Sequence, residues 1–535
     1  MTETNGTASH AVRICTGARS RSQARRLVAA ARDEATTATV HEVGPAGIGD
    51  LAPLVLVTAD GETAFHAGVS EDDVRALVRA LEADDLRIAE AHAVVAHDPD
   101  TATLPVPDEG PLAVGRRRVL ARAGWSVPDE VGDDERFAAD VVGDDPEAAD
   151  ERVRTTGLLG RGRGDASTDE PVVEEWDRAR ETMESGSDPV LVVNANEADE
   201  RDRTDSLLLE SDPVSVVDGA LAVADLLDVA DVVFYTREGD ELARERLDAA
   251  VDAVCGHLSP PKRPQVVAGP DRYVAGEMTM ALESLEGNDR LEARLRPPTP
   301  AQHGLYGRPT LIHTPRTLAQ LRRLWLHPDD FDADDADPGT RLVTVSGDVA
   351  APATVELSTS GSLAAVRGTV TLDGPFKMAC VGGQFGGLTR SLDHPPNAPA
   401  LSGADLGTHG AVELLDDSRC AVATAGTRAR FAEEENCGRC VPCREGSVQL
   451  TDLLRAVYGG DYRSGTIREL ARVMRTTSTC DFGQAAARPV TTAMDAFETE
   501  FRAHAEGRCP SGECEAVNRA GRRGEERETG EVSQP

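Results

Sequence analysis

Lysine is almost missing from this 535-residue chain: Lys262 and Lys377 are the only two, and every other permanently basic side chain is arginine. Acidic residues outnumber basic ones 93 to 56, a formal net charge of -37 at pH 7. A surface so short of positive charge argues against nucleic acid as the main partner, because phosphates are bound by Lys and Arg. The most basic island, RSRSQARR at Arg19 to Arg26, reads as a solvated helix face. The acidity fits life in high salt: at ~1 M the Debye length falls to about 3 Å, and a dense acidic surface repels itself little. Long apolar runs are absent too. No stretch of about 18 apolar residues could cross a bilayer. The opening MTETNGTASH has neither the basic start nor the apolar core of a secretion signal. A cytoplasmic protein without direct membrane insertion is expected. Cysteine is scarce, ten in all, and without a secretion signal its clustering argues for reduced thiols or metal ligation over a disulfide framework.

The length exceeds what one core serves, so three or more domains are expected. AVRIC reads as a short strand, SQARRLVAAARDEA as a helix, LVLVTADGETAFHAG as two strands around an Ala-Asp-Gly turn, and SEDDVRALVRALEA as a Ser-capped helix. This predicts a small α/β domain over 1–95, followed by a connector over 96–150 rich in Asp, Pro and Gly. The strands PVLVVNANE, DVVFYTR and QVVAGP alternate with the helices VSVVDGALAVADLLDV and ELARERLDAAVDAV, which predicts a parallel sheet with helical crossovers over 151–335. Alternating β-branched residues in TRLVTVSGDVAAPATVEL and GTVTLDG predict a β-rich module over 336–410. TIRELARVMRT and PVTTAMDAFETEFRAHA have helical spacing and predict a helical bundle over 411–508. The rest, 509–535, lacks apolar periodicity and reads as a disordered tail.

The chemistry is concentrated in EENCGRCVPCREG. Its C-x2-C-x2-C run, Cys437, Cys440 and Cys443, bends one loop so that three sulfurs converge. Cys480, in TSTCDFGQAAARPV, is the best fourth ligand because it precedes a helix whose N-terminal N–H groups favour a thiolate. Four thiolates suit an iron–sulfur cluster or a structural zinc, and spacing alone does not choose. Zinc ribbons usually use two C-x2-C pairs, whereas three close cysteines and one distant one are common around a [4Fe-4S] cluster. Cys255, Cys380 and Cys420 lie among apolar residues and read as small core side chains. Cys509 and Cys514, in RCPSGEC, supply only two ligands and read as a labile metal site or as residues without a site.

NCGRCVPCREG followed by STCDFGQAAARPV resembles the cluster-binding region of the NADH-oxidising flavin subunit of respiratory complex I and of NAD-linked hydrogenases. The resemblance extends through YVAGEMTMALESLEG, RLRPPTPAQHGLYGRPTLIHTPRTLA, TGLLGRGRG and VVNANEADE. It implies an α/β multidomain protein: a thioredoxin-like N-terminal domain, an FMN-binding α/β domain, a soluble-ligand-binding β-grasp module and a C-terminal four-helix iron–sulfur bundle. It also implies a [4Fe-4S] cluster on Cys437, Cys440, Cys443 and Cys480, and FMN and NADH held near Gly160, Arg161, Gly162, Asn194, Glu197, Tyr273, Gly276 and Glu277. The activity implied is NADH dehydrogenase-type electron input, with further iron–sulfur or redox subunits of a multisubunit oxidoreductase as partners and a place peripheral to a membrane complex.

The chain departs from the family's pattern in one pocket. The rest of the glycine loop has become DASTDEPVVEEW, with Glu175 where lysine is expected. Asn196 replaces an aspartate, Met278 a glutamate, and His313 with Thr314 an asparagine pair. His313 reads equally as a flavin contact or as a satisfied loop histidine. These changes open a second reading, an iron–sulfur relay or scaffold subunit that has lost nucleotide chemistry. In the front domain, the four positions where relatives ligate a [2Fe-2S] cluster hold Cys15, Ser20, Pro45 and Gly49. Pro and Gly have no side chain that ligates iron, so a docking or structural unit without a cluster is expected there.

Overall fold

A computed structural model describes residues 10–132, 135–163, 169–183 and 186–514. Three sheets and a helical domain follow one another along the chain. In the first sheet the strand order is Thr39–Val43, His10–Cys15, Leu54–Ala59, Glu62–Ala67, Ala93–Ala96. The first pair is parallel and the others antiparallel. The Ala-Asp-Gly turn forms because Asp60 and Gly61 both take positive φ, 48° and 82°, the geometry of a two-residue hairpin. Ser70 and Asp73 form a reciprocal capping box at the start of the helix Glu71–Leu81. That helix and Arg21–Glu34 bury Leu27, Val28, Val74 and Leu77 against Val12, Ile14, Val55 and Val57.

The second sheet is the parallel one that the alternation predicts, in the order Gln265–Gly269, Asp231–Arg237, Val190–Ala195, Thr310–His313. Its central strand Val190–Ala195 is buried on both faces, hence its unbroken apolar run. The helices Pro213–Leu226 and Pro315–Leu326 pack on each other in the largest core. The helix Thr204–Ser211 is buried at every position, which its polar residues conceal in the sequence.

The third sheet is mixed, with Thr340–Gly347 and Ala353–Ser358 pairing antiparallel as a hairpin. Two expectations are corrected here. GTVTLDG forms no strand; Thr371 and Asp373 pair with the loop at Asp348 and Ala350 instead, and Phe376–Val381 takes the place in the sheet. The strand Ala411–Asp416 pairs with Thr340–Gly347 and so belongs to this sheet, beyond the boundary expected at 410. A short apolar run such as AVELL does not separate strand from helix by its pattern.

The helical domain comprises Ala421–Glu435, Val441–Val457, Ser464–Thr477, Asp481–Ala485, Arg488–Ala496 and Glu498–Ala505. PVTTAMDAFETEFRAHA is two helices, not one, because Phe497 leaves the helical region at φ -131° and is itself fully buried. Ordered packing continues past 508 to Cys514, with Cys509 buried, so the expected tail cannot start before 515. The remainder, 515–535, lies outside the described residues. Among the described residues no helix is long and apolar enough to cross a membrane.

The connector is fixed in place. Glu356 of the third sheet accepts from the backbone N–H groups of Arg118, Val119 and Leu120. The first and third units join through Gly49 N to Pro352 O at 3.1 Å and Thr354 N to Gly47 O at 2.7 Å. Arg246 of the second unit donates to Thr16 O at 2.9 Å.

Candidate metal centre and cofactor pocket

Two helix N-termini hold the cysteines. Cys440 caps Val441–Val457, whose first turn carries Cys443, and Cys480 caps Asp481–Ala485. Gly438 turns the chain between Cys437 and Cys440 at φ 78°, held by Asn436 Oδ1 accepting from its N–H and by Arg444 donating to its carbonyl at 2.8 Å. Burial opposes a thiolate at Cys440, but amides of Thr479 and Cys443 outweigh it and hold its pKa below the ordinary thiol value. Thr479 precedes Cys480, so the two loops meet at this sulfur. The Cys443 thiol is pushed up to about 12, by burial first and then by the sulfurs of Cys440 and Cys437. Gly483 permits this approach: a Cβ there would lie 2.9 Å from the Cβ of Cys443 and 2.7 Å from that of Ser478. Gly446 lets Val441–Val457 pack on Ser464–Thr477, since a Cβ would lie 2.7 Å from Met474 Cγ. Cys437, Cys440 and Cys443 on one loop and Cys480 on the other are a four-thiolate donor set whose chemistry suits a [4Fe-4S] cluster.

The second pocket lies at the C-terminal end of the parallel sheet, where α/β folds bind ligands. Asn194 ends its central strand and donates to Gly276 O at 2.9 Å. Glu277, fully buried, caps Met278–Leu285 and pairs with Arg296 at 2.8 Å. Gly276 leaves no room for a side chain: a Cβ would lie 2.6 Å from Asn196 O and 3.0 Å from Arg163 Nη2. Gly162 sits at φ 151°, and Arg161 N donates to Thr317 Oγ1 at 2.9 Å, which seats the loop at the N-terminus of Pro315–Leu326. These walls suit a flavin nucleotide, but the space between them is taken. The Arg163 guanidinium lies 4.1 Å from the centre of the Tyr273 ring, and only about 10 Å³ remains beside it and Asn194. Arg163 also borders a cavity of about 470 Å³ lined by Tyr273, Phe385, Phe482 and Arg488.

Two of the expected cofactor residues have other commitments. The Arg161 side chain is fully buried away from the pocket, paired with Asp337 at 2.7 Å and donating to Thr340 O and Pro338 O, so it anchors the loop to the third sheet. The Glu197 carboxylate accepts from the N–H groups of Asp205 and Ser206 and pairs with Arg316 at 3.3 Å, capping Thr204–Ser211. His313 is a satisfied core residue: its Nε2 accepts from Trp176 Nε1 at 3.0 Å. Glu175 is half-buried, and burial pushes it up to about 7.

An aromatic layer joins the pocket to the cysteines. Tyr273 packs edge to face on Phe385, Phe431 and Phe482, and Phe482 stands two residues after Cys480. Among scattered phenylalanines the sequence gives no sign of this layer. In the front unit, Cys15, Ser20, Pro45 and Gly49 do come together, around a mostly apolar cavity of about 280 Å³ in which Cys15 is the only thiol. Cys420, read as a plain core residue, lies with its Sγ 3.3 Å from His504 Nε2.

A parallel α/β domain with a glycine loop, joined through an aromatic layer to four cysteines on two loops that lead into helices, defines an iron–sulfur protein of the flavin-domain oxidoreductase class. Residues 153–323 match the Nuo51 FMN-binding domain, and residues 423–504 match the NADH-ubiquinone oxidoreductase-F iron-sulfur binding region. The F subunit of the NADH-quinone oxidoreductase of Streptomyces coelicolor is 30% identical over 381 residues, 67% of this chain and 83% of that protein. The F 2 subunit of the NADH-quinone oxidoreductase of Rhizobium meliloti is 29% identical over 68% of this chain and 90% of its own length. The HndC subunit of the NADP-reducing hydrogenase of Solidesulfovibrio fructosivorans is 28% identical over 68% of this chain and 78% of its own. The fold is shared with a chain of an NAD+-reducing [NiFe]-hydrogenase crystal structure, with TM-score 0.63 and 23% identity over 93% of this chain and 85% of that one. The chain belongs to the family of NADH-quinone oxidoreductase F subunits.

Proposed function

We propose that this chain is the electron-input subunit of a multisubunit NADH dehydrogenase-type oxidoreductase, passing electrons from NADH by way of FMN to a [4Fe-4S] cluster. The observation that carries this reading is the aromatic layer, which brings Tyr273 of the flavin wall against Phe482 of the cluster loop, ring centroids 5.9 Å apart. A bound flavin supplies exchange between hydride and single-electron chemistry, and a cluster accepts single electrons. Cys437, Cys440, Cys443 and Cys480 are the cluster ligands. The Asn194 amide, the open backbone at Gly276 and the loop at Gly160 and Gly162 position the flavin. Arg161, Glu197 and Glu277 brace these walls through their ion pairs and caps. Tyr273, Phe385, Phe431 and Phe482 fill the span between pocket and cluster loop with packed rings.

The first unit is read as a thioredoxin-like domain without a cluster, and the third sheet as a β-grasp module. Further iron–sulfur or redox subunits take the electrons onward, and the assembly works in the cytoplasm, peripheral to a membrane complex. Arg163 across the flavin wall is the specific observation favouring the second reading, a relay or scaffold subunit that keeps the cluster and has lost nucleotide chemistry.

Anaerobic purification in high salt followed by iron, acid-labile sulfide and flavin analysis separates the two readings. Electron input requires iron, sulfide and FMN in one chain. Cluster without flavin, even after incubation with FMN, would leave the relay.

A further inference from the structure

A second cluster of potential metal ligands joins the start of the helical domain to its end. Cys420 is fully buried and caps the first helix, Ala421–Glu435; His504 is fully buried on the last, Glu498–Ala505; Cys509 and Cys514 follow in the turn beyond it. One ligand atom from each of these four residues lies within 4.8 Å of every other. His504 Nδ1 sits 2.7 Å from Glu500 O, and a carbonyl only accepts, so Nδ1 carries the proton and Nε2 turns a lone pair toward the three sulfurs.

We propose that Cys420, His504, Cys509 and Cys514 bind one structural zinc ion. Three thiolates and one imidazole are a closed, tetrahedral zinc ligand set. Bonds of ~2.3 Å to sulfur and ~2.0 Å to nitrogen place such ligand atoms about 3.5–3.8 Å apart, and Cys420 Sγ stands 3.3 Å from His504 Nε2. The four donors point to a single centre, whereas a [4Fe-4S] cluster needs a ligand at each of four separate irons. Soft sulfur with one imidazole selects zinc over magnesium or calcium, which take oxygen.

The surrounding shell is built for it. The Glu500 carbonyl fixes the histidine tautomer, as second-shell acceptors do in zinc sites. Its carboxylate holds the N–H of Ala421 at 3.1 Å and Lys377 at 2.9 Å. Glu513 accepts from the N–H of Cys420, the Tyr458 hydroxyl lies 3.7 Å from Cys514 Sγ, and its ring stacks edge-on to His504 at 5.4 Å. The site ties the first helix of the domain to its last, and both to the segment at 509–514. Its role is to clip the two ends of the domain together. The C-x4-C pair thus gains two further ligands, His504 just before it and Cys420, 84 positions before His504.

Metal analysis of the anaerobically purified full chain tests this. About one zinc per chain is expected, with three sulfurs and one nitrogen at the zinc edge by X-ray absorption. The Cys509→Ser, Cys514→Ser double variant is expected to lose that zinc and keep its iron and sulfide, so its result is independent of the electron-transfer reading. The absorption measurement on the wild-type protein needs no variant to fold. Wild-type protein free of zinc after growth with zinc supplied, zinc coordinated mainly by oxygen or nitrogen, or full zinc retained by the double variant would each overturn the proposal.

Discussion

The rings of Tyr273 and Phe482 meet edge to face with centroids 5.9 Å apart, so a residue of the proposed flavin wall touches one placed two positions after Cys480, a proposed cluster ligand. The contact crosses between the parallel sheet's loops and the helical domain. It packs the two proposed sites against each other.

Cys480→Ser removes the ligand proposed on the second loop. Iron and acid-labile sulfide are expected to fall at least ~10-fold, since even loss of a second-shell partner weakens metal sites 10–100-fold. The bound zinc is expected to stay, and elemental analysis reads both at once.

Arg163 is the obstacle to the flavin. Its stacking on Tyr273, worth ~1–2 kcal/mol when desolvated, is lost before a ring can enter between Tyr273 and Gly276. Arg163→Gly is expected to tighten FMN binding about tenfold, read by quenching of flavin fluorescence. Unchanged or weaker binding would show that the arginine is not in the way.

Glu175 stands where the family's pattern has a basic residue, close enough to Arg296, the partner of Glu277, to feel its charge. Burial pushes the carboxyl up to about 7, so its negative charge appears as pH rises through that value. FMN affinity in the wild-type chain is therefore expected to be weaker at pH 8 than at pH 6. Glu175→Gln is expected to flatten this dependence, as measured by titration at both pH values.

His313 is buried, and its pKa is lowered to about 4 by that burial. Between that value and the unfolded one, about 6.5, the unfolded chain binds the proton and the folded chain does not. Stability contributed by the neutral ring is full above the unfolded value and is lost as pH falls toward 4, by up to ~3 kcal/mol. Thermal unfolding from pH 7 to pH 5 is expected to show the loss, and His313→Gln, which keeps an acceptor for Trp176, to reduce it.

Gly483→Ala places a methyl group 2.9 Å from the Cys443 Cβ. Overpacking of this kind costs ~1–3 kcal/mol, and here it also separates the two cysteine loops. Lower cluster occupancy, with the first unit still folded, is the expected result from sulfide analysis and circular dichroism.

How much of this the sequence discloses depends on range. The strands around Asp60 and Gly61, the capping box at Ser70 and the parallel alternation at Val190 and Asp231 are local patterns, and they form where those patterns lie. Cys437, Cys440 and Cys443 are equally plain because seven consecutive residues hold them. What escapes is set by packing between distant segments. Arg161 looks like a loop arginine open to a nucleotide until Asp337, far along the chain, claims it. Cys420 has the surroundings of a core residue and only its meeting with His504, Cys509 and Cys514 makes it a candidate ligand. Phe497 breaks a helix whose spacing gives no warning, leaving the helical region where its own ring is buried.

Rapid mixing of the anaerobic, FMN-supplemented chain with NADH in high salt, followed in the visible region, tests the central claim most directly. Flavin bands are expected to bleach and the broad cluster shoulder to fall with them, the second signal vanishing in Cys480→Ser. Bleached flavin beside an unchanged shoulder in the wild-type chain would contradict it.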